Sequence, residues 1–349
     1  MKVQVFLSRV IAFIARRIIS GIIQVVNPIV RLKDPENPYS ANLSLTRLLS
    51  KNVCFVDQDL DWTAPSGFFF ENREIISASR TTVDLKLWNI FIEKRKLVSE
   101  SNPWGYEYLM RNPVPRPPLF TRGFKATRGA EPVILSSNGF YHWLIEDLPK
   151  TLQLLDSLNN PFLVHLENPP RYVSDFVKLS GLNSIALPRF VTFEDLKFIT
   201  SNGSSGWPIP ADIEILRTYF RNNLLPIKED LKVYIPRLRD TRSPTFEEEL
   251  VLRLESEGWT IFDAAKHSFS EQISMFSAAR EVAGVHGAGL SAATWMSPGT
   301  RLHEISPERN VRCFSRLCSI NEINYNRIVY SQDDPGSENV FKSIVLPIN

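Results

Sequence analysis

The sequence predicts an α/β protein with two parallel-sheet domains, preceded by an N-terminal amphipathic helix. Three observations lead there. Between residues 126 and 205, short apolar strands alternate with stretches of helical period. From 232 to 305 the alternation starts again. Between the two blocks, Ser201-Asn-Gly-Ser-Ser-Gly-Trp-Pro-Ile-Pro210 concentrates the residues that break regular structure. Strands separated by helices are joined by crossovers, and crossovers set neighbouring strands parallel. The 349 residues suffice for two such domains, and 43% hydrophobic against 22% charged residues is a globular composition. The expected division is 1–33 (helix), 34–205 (first α/β domain), 206–330 (second) and 331–349 (a tail returning to the body).

In the first segment, Lys2, Arg9, Arg16, Ser20 and Gln24 fall on one strip of a helix, with Arg17 at its edge. Val3, Leu7, Val10, Ile14, Ile18, Gly21 and Val25 lie opposite. The longest apolar stretch, Val10 to Ala15, is cut by Arg16-Arg17. Ten strong hydrophobes from Val10 to Val26 would gain roughly 3–6 kcal/mol on insertion, whereas two central arginines cost roughly 5–7. Spanning a membrane is therefore not expected. A basic amphipathic helix suits a membrane surface rich in anionic lipid, or it packs on the body of the protein. Pro28 and Lys33-Asp-Pro-Glu-Asn-Pro38 end it and form a linker.

From 51 to about 125, the apolar runs Val53–Val56, Gly67–Phe70 and Glu74–Ser77 read as short strands between turns, and Asp57, Asp59 and Asp61 as a solvated turn. The first block then predicts strands at Pro132–Leu135, Phe162–Leu166 and Ser184–Leu187, with helices near His142–Leu158 and Tyr172–Leu179. In the second block, strands are expected at Lys232–Ile235, Thr260–Phe262, Val282–Val285 and Arg301–Ile305. Helices are expected at Thr245–Gly258, Ser270–Ala279 and from Gly289.

Net charge is +2, from 40 Lys and Arg against 38 Asp and Glu, so no overall field marks nucleic acid as a partner. Three cysteines, Cys54, Cys313 and Cys318, make an odd count without a close Cys-x-x-Cys pair, and read as free thiols of a reducing, cytoplasmic compartment.

Three segments carry chemistry. Glu281-Val-Ala-Gly-Val-His-Gly-Ala-Gly-Leu-Ser291 is a buried strand running into glycines that open a helix. Gly287 and Gly289 let backbone approach a ligand, and the free N–H groups of a helix start favour phosphate. Gly287-x-Gly289-x-x-Ala292, with Glu304 ending the next strand as a ribose-binding acid, also fits a dinucleotide fingerprint. Only about 60 residues follow it, too few for the rest of a nicotinamide fold. Second, Pro236-Arg237-Leu-Arg239-Asp-Thr-Arg242 sets three arginines after a parallel strand, at the edge where open α/β sheets bind ligands. Guanidinium forks suit diphosphate oxygens. Third, His142 starts a helix with Glu146 one turn later on the same face and Asp147 beside it. Such a titratable pair can do base work; a capping histidine and first-turn acids would look the same.

Taken in order, these segments resemble glycosyltransferase family 61, also called DUF563. The likeness runs from about residue 50 to about 330. In the second half it rests on Tyr234-Ile-Pro-Arg237, Ser270-Glu-Gln272-Ile-Ser-Met-Phe276 with Ala278-Ala279, Val285-His286-Gly287-Ala288-Gly289-Leu290, Pro298-Gly299-Thr300 and Glu304-Ile-Ser-Pro307. In the first half it rests on Tyr141-His142-Trp143-Leu144 and Asp147-Leu-Pro149. Three positions depart from the family pattern. Gly139 stands where Asn is usual, with Asn138 one place early; Pro236 replaces a Ser; and Phe246-Glu247 replaces Asn-Glu.

The resemblance implies a GT-B architecture, two Rossmann-like domains facing a central cleft, with the acceptor on the first and the donor on the second. It implies transfer of a sugar from a nucleotide donor, UDP-linked, to a hydroxyl of a glycan or lipid-linked saccharide in polysaccharide or glycoconjugate biosynthesis, with inversion. His286, Gly287, Ala288, Gly289 and Leu290 would cradle the diphosphate, Arg237 and Arg242 would neutralise it, and Glu304 would take the ribose hydroxyls. His142 is the candidate base, with Glu146 or Asp147 orienting it or acting instead. Arginines and helix-end amides can stabilise the leaving group, so a divalent metal is compatible with this chemistry but not required, and no cofactor is implied. The amphipathic helix would hold the enzyme at the inner face of a membrane. Two alternatives remain: a catalytically inactive relative serving as a scaffold in a polysaccharide assembly complex, and an NAD-dependent oxidoreductase.

Overall fold

A computed structural model describes residues 53–55, 68–70, 75–86, 89–92, 96–99, 121–137, 139–199, 206–223, 230–237, 243–307, 312–330 and 337–345. The expected amphipathic helix, its linker, the Asp57–Asp61 turn, Asn138, Arg239 and Arg242 lie outside the described residues. The chain is α/β, with parallel and mixed sheets.

The second block is built on five parallel strands, β11 (Leu231–Ile235), β12 (Thr260–Ile261), β13 (Ala279–Val285), β14 (Arg301–Pro307) and β15 (Asn324–Tyr330), in the order β12-β11-β13-β14-β15. The strand order reverses at β11, so the loops leaving β11 and β13 part to opposite sides there. In a doubly wound sheet, ligands bind in the crevice at that point. Both faces of the sheet are buried, as crossover helices require. Val233, Ile235, Val282 and Leu302 join one core, while Tyr234, Ala283, Val285 and Ile305 join another on the opposite face.

The βαβ reading of the first block survives as a parallel sheet of β7 (Glu131–Ile134), β8 (Pro161–Leu166) and β9 (Ser184–Leu187). Beside it stands a sheet absent from the sequence reading: β3 (Ile75–Asp84), β4 (Asn89–Ile92), β5 (Lys96–Ser99), β6 (Arg122–Phe124) and β10 (Phe190–Ile199), in the order β5-β4-β3-β10-β6. It is antiparallel except between β6 and β10. The expected strand at Glu74–Ser77 is the start of the ten-residue β3. β1 (Val53–Phe55) and β2 (Phe68–Phe70) form a separate antiparallel pair.

Three helices were not read from the sequence: Pro210–Phe220, Cys313–Ile320 and Ser337–Val345. The first begins at the last proline of the breaker run, which occupies a first-turn position where its missing N–H costs nothing. The helix expected from Gly289 is instead a 3₁₀ segment, Ala288–Thr294, closed by tight i→i+3 bonds such as Leu290 N–H to the Gly287 carbonyl at 3.0 Å.

One hydrophobic core runs through both blocks. Trp143 meets Phe269 at 5.4 Å between ring centroids, Phe269 meets Phe220 at 5.2 Å, and Phe220 meets Trp295 at 5.5 Å. Val340 and Ile344, near the C-terminus, are buried with Leu250 and Leu254 in the second core.

Candidate active site

At the reversal of strand order, the loops after β11 and β13 are tied together. The Arg237 guanidinium donates through Nη1 to the carbonyl oxygen of His286. It occupies the space a side chain at 287 would need, since a Cβ there would lie 2.5 Å from Nη1. Gly287 has φ 173, an extended conformation open to any residue, so its requirement is room for the guanidinium rather than backbone freedom. Gly289 likewise admits the Ile235 side chain, whose Cγ2 would sit 3.0 Å from a Cβ. By the geometry of a helix start, the N–H groups of Ala288 and Gly289 precede the first internal bond and have no acceptor within the turn. Ala288 is exposed, whereas Leu290 is buried in the core.

The Arg237 loop is anchored from behind by Glu247, which is fully buried. Its Oε1 accepts from the Arg237 backbone N–H at 2.8 Å and the Tyr234 hydroxyl at 3.0 Å, and its Oε2 accepts from the Ser243 hydroxyl at 2.5 Å. Burial, then the Glu247 charge, pushes the Tyr234 hydroxyl well above its ordinary pKa, so it remains a donor. Phe246, where the family pattern has Asn, is buried against Tyr330 at 5.2 Å between ring centroids.

His286 also carries the next contact. Its Nδ1 is 2.5 Å from Glu304 Oε1, and Tyr325 donates its hydroxyl to Glu304 Oε2 at 2.5 Å. Glu304 is fully buried, on the face of β14 turned toward the first block, while the His286 side chain is 28% exposed. Burial, with Glu304 adding to it, raises the Tyr325 hydroxyl pKa strongly and the Cys313 thiol to about 12. Cys313 and Cys318 are both free and buried.

On the first block, the helix Phe140–His142 continues through a π-turn, Trp143–Asp147, into the helix Leu148–Ser157. The wide turn falls where Pro149 has no N–H to give the preceding turn. It turns Glu146 and Asp147 inward, and both are buried. His142 Nδ1 is 2.7 Å from Glu146 Oε1, which also accepts the Gly206 N–H at 2.5 Å. Burial alone would lower the His142 pKa, but the hydrogen bond and charge of Glu146 outweigh it and raise it above the ordinary 6.5. The two acids therefore separate. Glu146 faces His142, whereas Asp147 accepts from Ser136 Oγ at 2.6 Å and lies 3.3 Å from the fully buried Lys150 ammonium. Burial raises the Asp147 pKa against the pull of Lys150.

The helix carrying His142 packs against the 288–294 turn. Tyr141 and His286 meet the Phe314 ring at 5.5 and 5.3 Å, and Tyr141 donates its hydroxyl to the Gly206 carbonyl at 3.1 Å. The structure thus gathers His142, Glu146, Arg237, His286, Gly287, Ala288, Gly289 and Glu304 around one seam; Leu290 supports it from the core, and Asp147 stands behind it. Sequence reasoning missed Glu247, Tyr325 and Gly206. The signal for Glu247 was its place at the start of the helix after the arginine loop. Gly206 has φ +79, and it lay in the run read as the boundary between the two blocks. Among the described residues no three His, Cys, Asp or Glu side chains are grouped as a metal ion would need. Among the same residues, no helix is long and apolar enough to cross a membrane.

Residues 140–303 match the family model described as Glycosyltransferase 61. No curated protein matches the chain. The matched span opens two residues before His142, takes in Arg237 and the whole 286–290 turn, and ends one residue before Glu304. Over that span, just under half of its length, the chain is similar to glycosyltransferase family 61.

Proposed function

We propose that this glycosyltransferase moves a sugar from a UDP-linked donor to a hydroxyl of a glycan or lipid-linked saccharide, with inversion, in a GT-B-like arrangement of its two blocks. The observation that carries the reading is the meeting of the Arg237 loop and the 286–290 turn at the reversal of strand order, beside a His142–Glu146 pair from the other block.

The chemistry follows from these groups. Arg237 and the amides of Ala288 and Gly289 offer positive charge and donors to a diphosphate without reorganising. Glu146 accepts a hydrogen bond from the Nδ1–H of His142, which leaves Nε2 to accept the proton of the acceptor hydroxyl as its oxygen attacks the anomeric carbon. The bond from that carbon to the diphosphate oxygen breaks, and its electrons leave with the diphosphate. A histidine whose pKa the Glu146 carboxylate raises above its ordinary value is suited to act as base near neutral pH. Residues 1–26 would hold the enzyme at an anionic membrane surface.

The test is titration calorimetry with UDP, followed by a thermal-shift screen across nucleotide sugars, since a ligand that binds only the folded state raises its melting temperature. Binding of UDP together with donor-dependent transfer supports the reading. An absence of both heat and thermal shift refutes it.

A further inference from the structure

Glu304 is expected to contact ribose, yet its surroundings suit a different task. The residue is fully buried, and both its oxygens are engaged at 2.5 Å, one by His286 Nδ1 and one by the Tyr325 hydroxyl. A carboxylate accepts and cannot donate, so the Nδ1 proton of His286 is committed to Glu304. Nε2 is left as the ring nitrogen without a protein partner among the described residues, on a side chain that is partly exposed. In the neutral ring, that nitrogen would carry a lone pair. A lone pair facing a diphosphate repels it, and only a ring protonated at both nitrogens can donate there.

We propose that Glu304, held by Tyr325, is a positioning residue that commits His286 to bind the donor diphosphate as an imidazolium, so that donor binding takes up a proton from solvent. The proposal rests on the donor reading above and specifies the protonation state in which that site works. The Nε2–H bond formed on protonation goes to a phosphate oxygen, while the Nδ1–H bond stays on Glu304. The other groups around the ring leave this arrangement intact. The Arg237 guanidinium, from the loop after β11, binds the His286 backbone carbonyl rather than its ring. Tyr325 of β15 and Cys313 of the helix Cys313–Ile320 are both held protonated at neutral pH. Phe314 of that helix contributes only a ring edge, and Tyr141 from the first block is protonated, its hydroxyl raised well above ordinary by burial.

The experiment is UDP calorimetry on the full chain at pH 8, where UDP itself is fully ionised, in two buffers of different ionisation enthalpy. The difference in heat counts protons. Wild type is expected to take up a substantial fraction of one proton, and His286→Asn to take up none. In Glu304→Gln the amide N–H can donate to Nδ1, so the neutral ring can present Nε2–H. Uptake should disappear in that variant, with affinity about tenfold weaker as a charge-assisted bond becomes neutral. Glu304→Asp should restore part of the uptake, which a purely structural role would not explain. Tyr325→Phe, a milder change, should lower uptake without removing it, and serves if Glu304→Gln fails to fold. UDP binding without uptake in wild type, or equal uptake in wild type and Glu304→Gln, overturns this proposal and leaves the donor site standing. No UDP heat in wild type overturns both.

Discussion

Replacing Glu247 separates the support of the arginine loop from its chemistry. In Glu247→Ala three donors lose their acceptor: the Tyr234 hydroxyl and Arg237 N–H on Oε1, and the Ser243 hydroxyl on Oε2. Hydrogen bonds to a charged group are worth about 1.5–3 kcal/mol each. Relief of the cost of burying the carboxylate, several kcal/mol, offsets part of the loss. Ser243 is half-buried and can turn to water, whereas Tyr234 is fully buried and cannot. The net loss expected is about 2–4 kcal/mol. Glu247→Gln should behave differently, because its oxygen can serve both partners of Oε1 while the Ser243 hydroxyl rotates to accept from the new amide. Its expected cost is about 1 kcal/mol or less. Urea unfolding followed by tryptophan fluorescence gives the two stabilities, and calorimetry with UDP reads the loop. The alanine variant should bind UDP about tenfold or more weakly, equivalent to about 1.4 kcal/mol, and the glutamine variant nearly as well as wild type. Equal losses in the two variants, or an alanine variant within about 0.5 kcal/mol of wild type, the spread of ordinary surface changes, would refute this account of the loop.

In Gly287→Ala the new methyl must evict the Arg237 guanidinium, the movable end of a long side chain. UDP affinity should fall about tenfold while the melting temperature changes little, as thermal shift with and without UDP will show. For His142→Ala, the expectation is unchanged UDP affinity with kcat lower by about 10²–10⁴, measured by donor-dependent transfer. A general base acts when neutral, so activity should rise with pH through the raised His142 pKa, above 6.5. In Glu146→Gln that rise should move to lower pH, and an unmoved profile would detach Glu146 from the base. Deleting residues 1–33 should abolish flotation with anionic liposomes and leave UDP binding intact; equal flotation of both chains would remove the membrane role.

Four of the five parallel strands of the second block were legible, from short apolar stretches at Lys232–Ile235, Thr260–Phe262, Val282–Val285 and Arg301–Ile305; β15 was not, because Asn324, Asn326 and Arg327 interrupt its pattern. The approach of Arg237 to His286 was legible too, since both follow strands at the ligand-binding edge. β10 was hidden because Glu194, Asp195 and Lys197 interrupt the pattern of Phe190–Ile199, and its partner β3 lies about a hundred positions earlier in the chain. The helix Pro210–Phe220 was masked by prolines that serve both to break a chain and to start a helix. Glu304 was found by its position at a strand end. Its engagement by His286 and Tyr325 could not be read, because those contacts join three separate strands and loops across the sheet. That Glu146 faces His142 was legible from their i,i+4 spacing, whereas the burial of Asp147 against Ser136 and Lys150 was not, because it depends on a partner outside the helix and on the π-turn.

The aromatic chain from Trp143 through Phe269 and Phe220 to Trp295 bears on how family members could be recombined. A chimera that joined the amino-terminal half of one enzyme to the carboxy-terminal half of another would splice two unmatched surfaces through the middle of a single interior. Donor and acceptor preferences would therefore be hard to exchange as cassettes.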